Sequence, residues 1–153
     1  MRLLRFIILA LCLITQASAQ GYNWRGVLDA LRQVETGGQP NEGRGAVGDG
    51  GRALGPLQIH RVYHVDAAER DPALGDYRRC LSSLRYSEAV VLAYMKRYAR
   101  GASTRLTAGK GTLADLQKVA RTHNGGPKGS KKSATLAYWK KFSRVVKRQD
   151  KRN

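Results

Sequence analysis

The sequence predicts an α+β domain that is mainly helical and carries one small β-hairpin. Two observations lead to this class. Apolar residues recur at helical spacing in several separate segments, and one glycine-rich stretch between Gln39 and Leu54 lacks that spacing. The chain has 153 residues, which is enough for one domain with its own core and too few for two.

The amino terminus has the pattern of a secretory signal peptide. Arg2 and Arg5 precede an apolar run from Phe6 to Ile14, and the small residues Ala17-Ser18-Ala19 follow it. The run is far shorter than the roughly 20 apolar residues of a membrane-spanning helix. We therefore expect cleavage after Ala19 and a soluble exported protein, secreted or periplasmic, that does not insert stably into a membrane.

The chain is strongly basic. It carries 28 lysines and arginines against 11 aspartates and glutamates, a formal net charge of +17. Such a charge attracts polyanions, and nucleic acid, anionic membranes and the acidic bacterial envelope all meet that condition. Because the signal peptide predicts export, we expect the anionic bacterial envelope to be the partner and do not expect nucleic acid.

Cysteine usage excludes a disulfide framework. The chain has two cysteines, and Cys12 lies in the predicted signal peptide, which leaves Cys80 alone in the mature protein. We expect Cys80 to be a buried small apolar residue; a reactive or dimer-forming thiol is the alternative. The expected state is a monomer.

The first helix is predicted over residues 22–35 and is followed by an irregular hairpin over 39–54. In the helix, apolar residues recur at helical spacing, and Gly37-Gly38 supplies the stop. The residues at this spacing are Trp24, Val27, Leu28, Leu31 and Val34. In the hairpin, turn-type glycines and acidic residues replace the apolar periodicity, and the segment 55–59 then returns to the core.

Helices also account for most of the chain after the hairpin. They are predicted over residues 59–67 and 87–98, from Thr112 onward, and over 133–146, with a loop at 71–76. Thr112 is the expected N-cap of its helix, with Asp115 in the capping-box position. The chain then divides into a signal peptide over 1–19, one domain over 20–146 and a basic tail over 147–153 that we expect to fray.

Glu35 is the candidate acid. It lies four residues after Leu31 and eleven after Trp24, which places it beside the apolar face in the last turn of the first helix. Partial burial and the negative end of the helix dipole both favour the neutral, protonated carboxyl. A general acid needs that form to protonate a glycosidic oxygen. The alternative is a solvated glutamate that pairs with an arginine.

Three segments of the chain form a recognisable pattern. They are Val34-Glu35-Thr36-Gly37-Gly38 through Gly55-Pro56-Leu57-Gln58-Ile59, the glycine-dense run Arg121-Thr122-His123-Asn124-Gly125-Gly126-Pro127-Lys128-Gly129, and the aromatic block Ala134-Thr135-Leu136-Ala137-Tyr138-Trp139-Lys140-Lys141. Together they resemble invertebrate-type (destabilase-like) lysozymes, over roughly residues 24–142. The resemblance implies a lysozyme-like fold whose hairpin flanks a cleft, and an enzyme that cleaves the glycan of bacterial cell walls without a cofactor. The lone cysteine departs from that disulfide-rich family, which suggests a bacterial relative whose fold rests on its apolar core.

The resemblance assigns the catalytic acid to Glu35, because Glu-Thr-Gly-Gly at 35–38 matches the catalytic Glu-Ser-Gly of the family. A glycosidase usually places a second carboxylate across the cleaved bond. Asp49 lies fourteen residues after Glu35 among glycines of the predicted hairpin, close to the position of the family's catalytic aspartate. Glu42 is the main alternative and Asp66 a more distant one. An ordinary turn aspartate at position 49 would only cap local amides.

The resemblance also implies a set of substrate-binding residues: Gln58, Tyr63, His123, Asn124, Gly125 and Gly126. The loop from His123 to Pro127 follows a helix, and a cap formed by Asn124 or Gly125 would explain one glycine. A second glycine suits a backbone that approaches a sugar closely. His123 would contact the substrate or shape the cleft. Gln58 either bonds an N-acetyl group or braces the hairpin, and Tyr63, Tyr94 and Tyr138 are otherwise packing residues.

No metal site is predicted. His60 and His64 share one helical face at i, i+4 spacing, which can hold zinc. The segment between them lacks the glutamate that metalloprotease chemistry places after the first histidine.

Three functions are open to such a chain, and the motifs favour the first. An exported muramidase would hydrolyse the β-1,4 bond between N-acetylmuramic acid and N-acetylglucosamine in peptidoglycan, with Glu35 as acid and Asp49 as nucleophile or electrostatic stabiliser. A lytic transglycosylase needs only one catalytic glutamate and lets the muramyl 6-hydroxyl replace water. A non-enzymatic cationic protein would disrupt envelopes by charge alone, and would need neither Glu35 nor the glycine-dense loop.

Overall fold

Seven α-helices and three short strands form the part of the chain that the computed structural model describes, residues 21–38 and 40–152. The helices are α1 (Trp24–Thr36), α2 (Arg61–Ala68), α3 (Arg79–Ser82), α4 (Leu84–Tyr98), α5 (Arg100–Thr107), α6 (Leu113–Gly125) and α7 (Leu136–Asp150). The strands are β1 (Val47–Gly48), β2 (Ala53–Leu54) and β3 (Ile59–His60). The predicted signal peptide lies outside the described residues. None of the helices within them is long and apolar enough to cross a bilayer.

Helix α1 is bounded by its own end signals. Asn23 caps the amino end by accepting a hydrogen bond from the Gly26 N–H at 3.1 Å. Gly37 ends the helix with a left-handed backbone, φ 67°. One face of the helix enters the core and packs against α7 through Val27, Leu28, Ala30 and Leu31. The predicted first helix is confirmed, and Glu35 lies in its last turn.

The predicted hairpin is part of a three-stranded antiparallel sheet with strand order β1-β2-β3. Leu54 in the central strand pairs with Val47 on one side and with Ile59 on the other. Between β2 and β3 the chain reverses through Gly55 (φ 73°) and Gln58 (φ 46°), two left-handed positions. This reversal adds a third strand that the glycine-rich pattern of residues 39–54 does not predict.

The prediction of a helix from Ile59 is wrong at its start. Ile59 and His60 pair with β2, which requires an extended backbone, so α2 begins at Arg61. The sequence pattern also does not predict α3 and α5. Helix α5 spans eight residues and buries only Ala102 and Leu106 among its apolar residues, too few to establish a helical period.

Helix α7 continues to Asp150, past the predicted end at Val146. Gln149 Nε2 donates a hydrogen bond to Asp29 of α1 at 2.8 Å. The Tyr22 hydroxyl donates to Asp150 at 3.1 Å. These contacts with the amino-terminal segment hold the last turn of α7, so residues 147–150 are helical where fraying was expected.

Helix α6 begins at the predicted capping box. The Thr112 hydroxyl accepts a hydrogen bond from the Asp115 N–H at 3.2 Å, and the Asp115 carboxylate accepts one from the Thr112 N–H at 2.9 Å. Arg105 of α5 donates to both oxygens of the same carboxylate. Hydrogen bonds from Arg105, and then those from Thr112, hold the pKa of the buried Asp115 carboxyl well below its usual range. The capping-box prediction is confirmed.

The core is apolar and includes Cys80. The largest side chains that it buries completely include Leu31, Leu57, Ile59, Met95, Leu106, Leu116 and Phe142. Cys80 is equally inaccessible to solvent, and burial raises the pKa of its thiol to about 12. The prediction that Cys80 is a buried apolar residue is confirmed.

Candidate active site

Glu35 lies where the end of α1 meets α6 and α7. Its Oε1 accepts a hydrogen bond from the Tyr138 hydroxyl of α7 at 2.6 Å. The same oxygen lies 3.3 Å from Nε2 of His123 in α6. The Glu35 side chain is 18% exposed, so its carboxyl is largely removed from water but not sealed from it.

His123 lies between Glu35 and Tyr63. Its Nδ1 shares a hydrogen bond of 3.3 Å with the Tyr63 hydroxyl of α2, and the tautomer of the ring decides which of the two atoms donates. Its Nε2 approaches Oε1 of Glu35 at ion-pair distance without forming a hydrogen bond. Among the described residues, Tyr138 donates the one hydrogen bond that the Glu35 carboxyl accepts, and it reaches Oε1, so Oε2 has no protein donor.

The two tyrosines of this cluster are protonated donors. Tyr63 is buried and stacks on Tyr94 of α4 with 3.6 Å between ring centroids. Burial first, and then the charges on Tyr94 and Glu35, raise the pKa of Tyr63 well above its usual range. Burial, followed by the charge and hydrogen bond of Glu35, raises the pKa of Tyr138 in the same direction. Both hydroxyls therefore keep their protons throughout the physiological pH range.

Asp49 is an exposed carboxylate at the β1–β2 turn. Its backbone is left-handed, φ 49°, a conformation that a residue with a Cβ adopts at an energetic cost. Arg52 donates a hydrogen bond from Nη2 to Oδ1 at 2.8 Å. His60 of β3 places Nε2 at 3.6 Å from Oδ2. The contacts of Asp49 are therefore with the sheet and not with the Glu35 cluster.

The two alternative carboxylates have partners of their own. Glu42 is exposed, has a left-handed backbone of φ 60°, and lies 3.8 Å from Arg44. Asp66 of α2 accepts a hydrogen bond from the Tyr98 hydroxyl at 3.0 Å and lies 3.6 Å from Arg97. Asp66 thus belongs to an ion-pair network between α2 and α4, separate from the contacts of Glu35.

Gln58 braces the sheet. Its Nε2 donates a hydrogen bond to the Gly55 carbonyl at 2.9 Å. Its Oε1 lies over residue 48, so that a Cβ there would lie 2.0 Å away and would displace the Gln58 side chain. The Thr36 hydroxyl, beside Glu35, donates to the Arg32 carbonyl at 3.0 Å and lies 3.4 Å from the Pro56 carbonyl. The turn that holds Gln58 therefore contacts the end of α1.

The glycine-dense loop begins at the Glu35 cluster. His123 is buried and Asn124 is exposed. The cap of α6 is Gly126, with φ 77°, and not Asn124 or Gly125. Gly125 is held close to Thr135, whose methyl group would lie 2.4 Å from an added Cβ. Close packing on Thr135 thus accounts for Gly125, and the positive φ of the helix cap accounts for Gly126. Asn124 is the residue of this set that presents its side chain to solvent.

The paired histidines do not form a metal site. His60 lies beside Asp49, whereas His64 is buried and shares a hydrogen bond of 2.9 Å with the Tyr86 hydroxyl. Over residues 21–38 and 40–152, no group of three or more His, Cys, Asp and Glu side chains can hold a metal ion.

Sequence reasoning does not identify Tyr138 as the partner of Glu35, or Arg52 and His60 as partners of Asp49. Tyr138 belongs to the aromatic block 134–141, one of the segments that carry the family resemblance. That membership was the sequence signal available for its role. Arg52 follows Asp49 at a spacing of three residues, which is short enough to suggest contact. The position of His60 follows only from the pairing of β3 with β2.

The helical body with a small sheet beside the end of α1 is the predicted lysozyme-like fold. The crystal structure of inhibitor-bound lysozyme from Meretrix lusoria resembles it with a TM-score of 0.60 and 28% sequence identity, over 82% of this chain and 92% of that chain. The model of the Destabilase family matches residues 28–145. The chain therefore belongs to the Destabilase family.

Curated relatives from two animals carry lysozyme names. Invertebrate-type lysozyme 6 of Caenorhabditis elegans is 37% identical over 95 residues, which are 59% of this chain and 64% of the relative. Lysozyme 1 of Crassostrea virginica is 35% identical over 89 residues, 58% of this chain and 42% of the relative. The match thus spans less than two thirds of the length of either relative.

Proposed function

We propose that this protein is an exported muramidase, a glycoside hydrolase that cleaves the β-1,4 bond between N-acetylmuramic acid and N-acetylglucosamine in peptidoglycan. The observation that carries the proposal is the Glu35 carboxyl, which is 18% exposed, accepts a hydrogen bond from Tyr138 at Oε1 and lies 3.3 Å from His123 Nε2. Membership in the Destabilase family and the lysozyme names of its relatives support the same assignment.

In the proposed mechanism Glu35 is the general acid. Its Oε2 gives a proton to the glycosidic oxygen as the bond to the sugar breaks. Negative charge then develops on the carboxylate, and the Tyr138 hydroxyl and the neighbouring His123 ring stabilise that charge at Oε1. Because both groups are already in place, the site does not have to reorganise during proton transfer.

Asp49 is the proposed second carboxylate, acting as nucleophile or as electrostatic stabiliser of the oxocarbenium-like sugar. Its exposed carboxylate accepts a hydrogen bond from Arg52 at one oxygen and lies 3.6 Å from His60 at the other. Its strained left-handed backbone supports a functional role, because such strain concentrates at active sites. The contact of Thr36 with Pro56 at the end of α1 supports a fixed position for the sheet relative to Glu35.

The proposed substrate-binding residues divide into two groups by their contacts. Asn124 is exposed and suited to contact the glycan directly. The other residues shape the cleft. Gln58 braces the turn beside the sheet, Tyr63 and His123 pack beside Glu35, and Gly125 and Gly126 set the backbone path of the loop. We further propose secretion or periplasmic export, a catalytic domain over residues 20–146 and a basic segment over 147–153, of which residues 147–150 continue α7. We also propose a monomeric state and attraction to the anionic envelope by the formal charge of +15 that remains without Arg2 and Arg5.

Replacement of Glu35 by glutamine tests the assignment. Glu35→Gln retains an oxygen that accepts from Tyr138, so the protein should remain folded and still bind glycan, but its amide cannot release a proton. Hydrolysis of purified peptidoglycan should fall by about 10²- to 10⁴-fold, the usual contribution of general acid–base catalysis. Glu69→Gln is the matched control, since Glu69 is an exposed glutamate that pairs with Arg97 outside the cluster, and it should retain activity. Undiminished cleavage by Glu35→Gln would refute the proposal.

The released products separate the muramidase from the two alternatives. Water as the acceptor gives muropeptides with reducing ends, whereas attack by the muramyl 6-hydroxyl gives 1,6-anhydro muropeptides, which mass spectrometry distinguishes. Predominant 1,6-anhydro products would assign the protein as a lytic transglycosylase. Killing of cells by Glu35→Gln at the parent level, without glycan release, would instead identify a cationic envelope-binding protein.

A further inference from the structure

Positive charge is segregated along this chain. Residues 116–149 contain ten lysines and arginines and no aspartate or glutamate. The carboxylates that form salt bridges pair with arginines elsewhere: Asp29 with Arg32, Asp49 with Arg52, Asp66 and Glu69 with Arg97, and Asp115 with Arg105. Across the described residues, no lysine or arginine of 116–149 forms a salt bridge. The positive charges of this stretch are therefore not neutralised within the protein.

Five of these charges form one cluster, which we call the basic loop: Lys128, Lys131 and Lys132, with Lys118 and Arg121 of α6 beside them. Lys118 Nζ donates a hydrogen bond to Ser130 at 2.9 Å. Arg121 Nη2 donates to the Lys132 carbonyl at 2.8 Å. These two contacts place the helix cations next to the loop cations, and Lys128 and Lys131 are exposed.

The basic loop is a built structure and not a flexible tail. The Thr135 hydroxyl is buried, accepts a hydrogen bond from Arg121 Nε at 2.9 Å, and lies 2.8 Å from the Gly129 carbonyl. Gly129 packs so closely on α6 that an added Cβ would lie 2.0 Å from the Arg121 carbonyl. The fold thus holds like charges close together, which opposes its own stability. An anion bound from outside would relieve that repulsion.

The basic loop is continuous with the Glu35 cluster. Lys132 Nζ donates a hydrogen bond of 2.7 Å to the Gly125 carbonyl. Gly125 follows His123 by two residues, and His123 contacts the Glu35 carboxyl at 3.3 Å. A glycan strand positioned at Glu35 therefore passes close to the basic loop. In peptidoglycan such a strand carries a stem peptide with free carboxylates on its muramic acid residues, whereas a chitooligosaccharide carries no charge.

We propose that the basic loop binds the stem-peptide carboxylates of the strand whose glycan occupies the Glu35 site, so that the protein selects peptide-bearing strands over bare glycan. The inference rests on the proposed function, because it names which form of the glycan that site takes. Recognition is by charge: lysines act as point charges on flexible stems and accept carboxylates in many geometries.

The test compares two double variants on two substrates. Lys128→Gln with Lys131→Gln removes two exposed charges from the basic loop. Lys96→Gln with Lys110→Gln removes two exposed lysine charges elsewhere and is the matched control. The substrates are purified sacculi free of other anionic polymers, and the same sacculi after carbodiimide coupling with excess ammonia has converted their free carboxylates to neutral amides. Rates of glycan cleavage and binding by cosedimentation are measured on each.

We expect the loop variant to lose about 3- to 10-fold in affinity and in kcat/KM on intact sacculi, as two exposed ion pairs allow, and to match the parent on amidated sacculi. The control variant should match the parent on both substrates. An equal loss on intact and amidated sacculi, or an equal loss in the control variant, would overturn the inference. A parent protein that cleaves neither substrate would overturn the proposed function instead, while the binding comparison would still decide the role of the loop.

Discussion

Removal of the Tyr138 hydroxyl tests whether it stabilises the charge that Glu35 acquires as it gives up its proton. Tyr138→Phe keeps the ring and deletes only the donor that lies 2.6 Å from Oε1. Because the charge on Glu35 grows during proton transfer, this hydrogen bond is stronger in the transition state than in the ground state. Its loss should therefore slow the chemical step more than it weakens substrate binding.

The expected magnitude follows from the contacts of the carboxyl. A hydrogen bond to a charged group contributes about 1.5–3 kcal/mol, and part of this is already present when Glu35 is neutral. A share of about 1.4 kcal/mol that is specific to the transition state corresponds to a tenfold change in rate. Nε2 of His123 remains 3.3 Å from the same oxygen, and its contact with Oε1 limits the loss. We expect kcat to fall about 10-fold with KM changed by less than about twofold.

The chain offers a matched control. The Tyr98 hydroxyl donates to Asp66 at 3.0 Å. Tyr98→Phe therefore removes the same kind of hydrogen bond, from a tyrosine hydroxyl to a carboxylate, outside the Glu35 cluster. Initial rates on purified peptidoglycan and unfolding by urea are measured for both variants. Each variant should lose roughly 1 kcal/mol of stability, but only Tyr138→Phe should lose kcat.

Two results would refute the reasoning. Parent-level kcat in Tyr138→Phe would show that the hydroxyl contributes to packing and not to proton transfer. An equal loss of kcat in both variants would show that general destabilisation, and not a donor to Glu35, lowers the rate.

Two further substitutions test the strained turn and the capping box. Asp49→Asn, whose side chain tolerates a left-handed backbone, should fold like the parent and lose most peptidoglycan cleavage, whereas Asp49→Ala should also lose about 1 kcal/mol of stability. Full activity of Asp49→Asn would instead support a single-glutamate mechanism. The folded-state pKa of Asp115 lies below its ordinary 3.8, so its carboxylate stabilises the fold above about pH 3.8 and loses this effect as the pH falls through the lower folded value. Asp115→Asn should therefore lower the free energy of unfolding by about 2 kcal/mol at neutral pH. Urea unfolding should show that the difference between variant and parent becomes smaller in acid, and a difference that does not change with pH would contradict the assignment.

The features that the sequence predicts correctly depend on neighbouring residues. Helix α1 ends at Thr36, just after Glu35, because its apolar spacing stops and Gly37 supplies a left-handed cap. Helix α6 begins at Thr112 because Asp115, three residues later, completes the capping box. In each case the determining atoms lie within one helical turn, so reading the chain locally suffices.

The contacts that build the candidate site are set by packing over long separations. Tyr138 meets Glu35 across 103 residues of chain, and the aromatic spacing of α7 indicates burial without indicating this partner. His60 approaches Asp49 only because Gln58 adopts a left-handed backbone and converts a predicted helix start into β3. Neither the composition of the chain nor the spacing of its apolar residues indicates that a glutamine will adopt a positive φ. The third strand depends on that conformation, so these sequence patterns could not predict it.

The buried thiol of Cys80 can be used to measure local unfolding of the protein. Only the thiolate reacts readily with alkylating and disulfide reagents, and at Cys80 both the lack of solvent access and a pKa of about 12 suppress that reaction in the folded state. The backbone of Cys80 also touches the sheet, since a Cβ on Gly55 would lie 1.7 Å from its carbonyl oxygen. Modification must therefore wait for molecules in which this part of the structure has come apart. The rate at which the thiol is consumed then reads out how often the sheet separates from the helices, in the unmodified protein and without an attached dye.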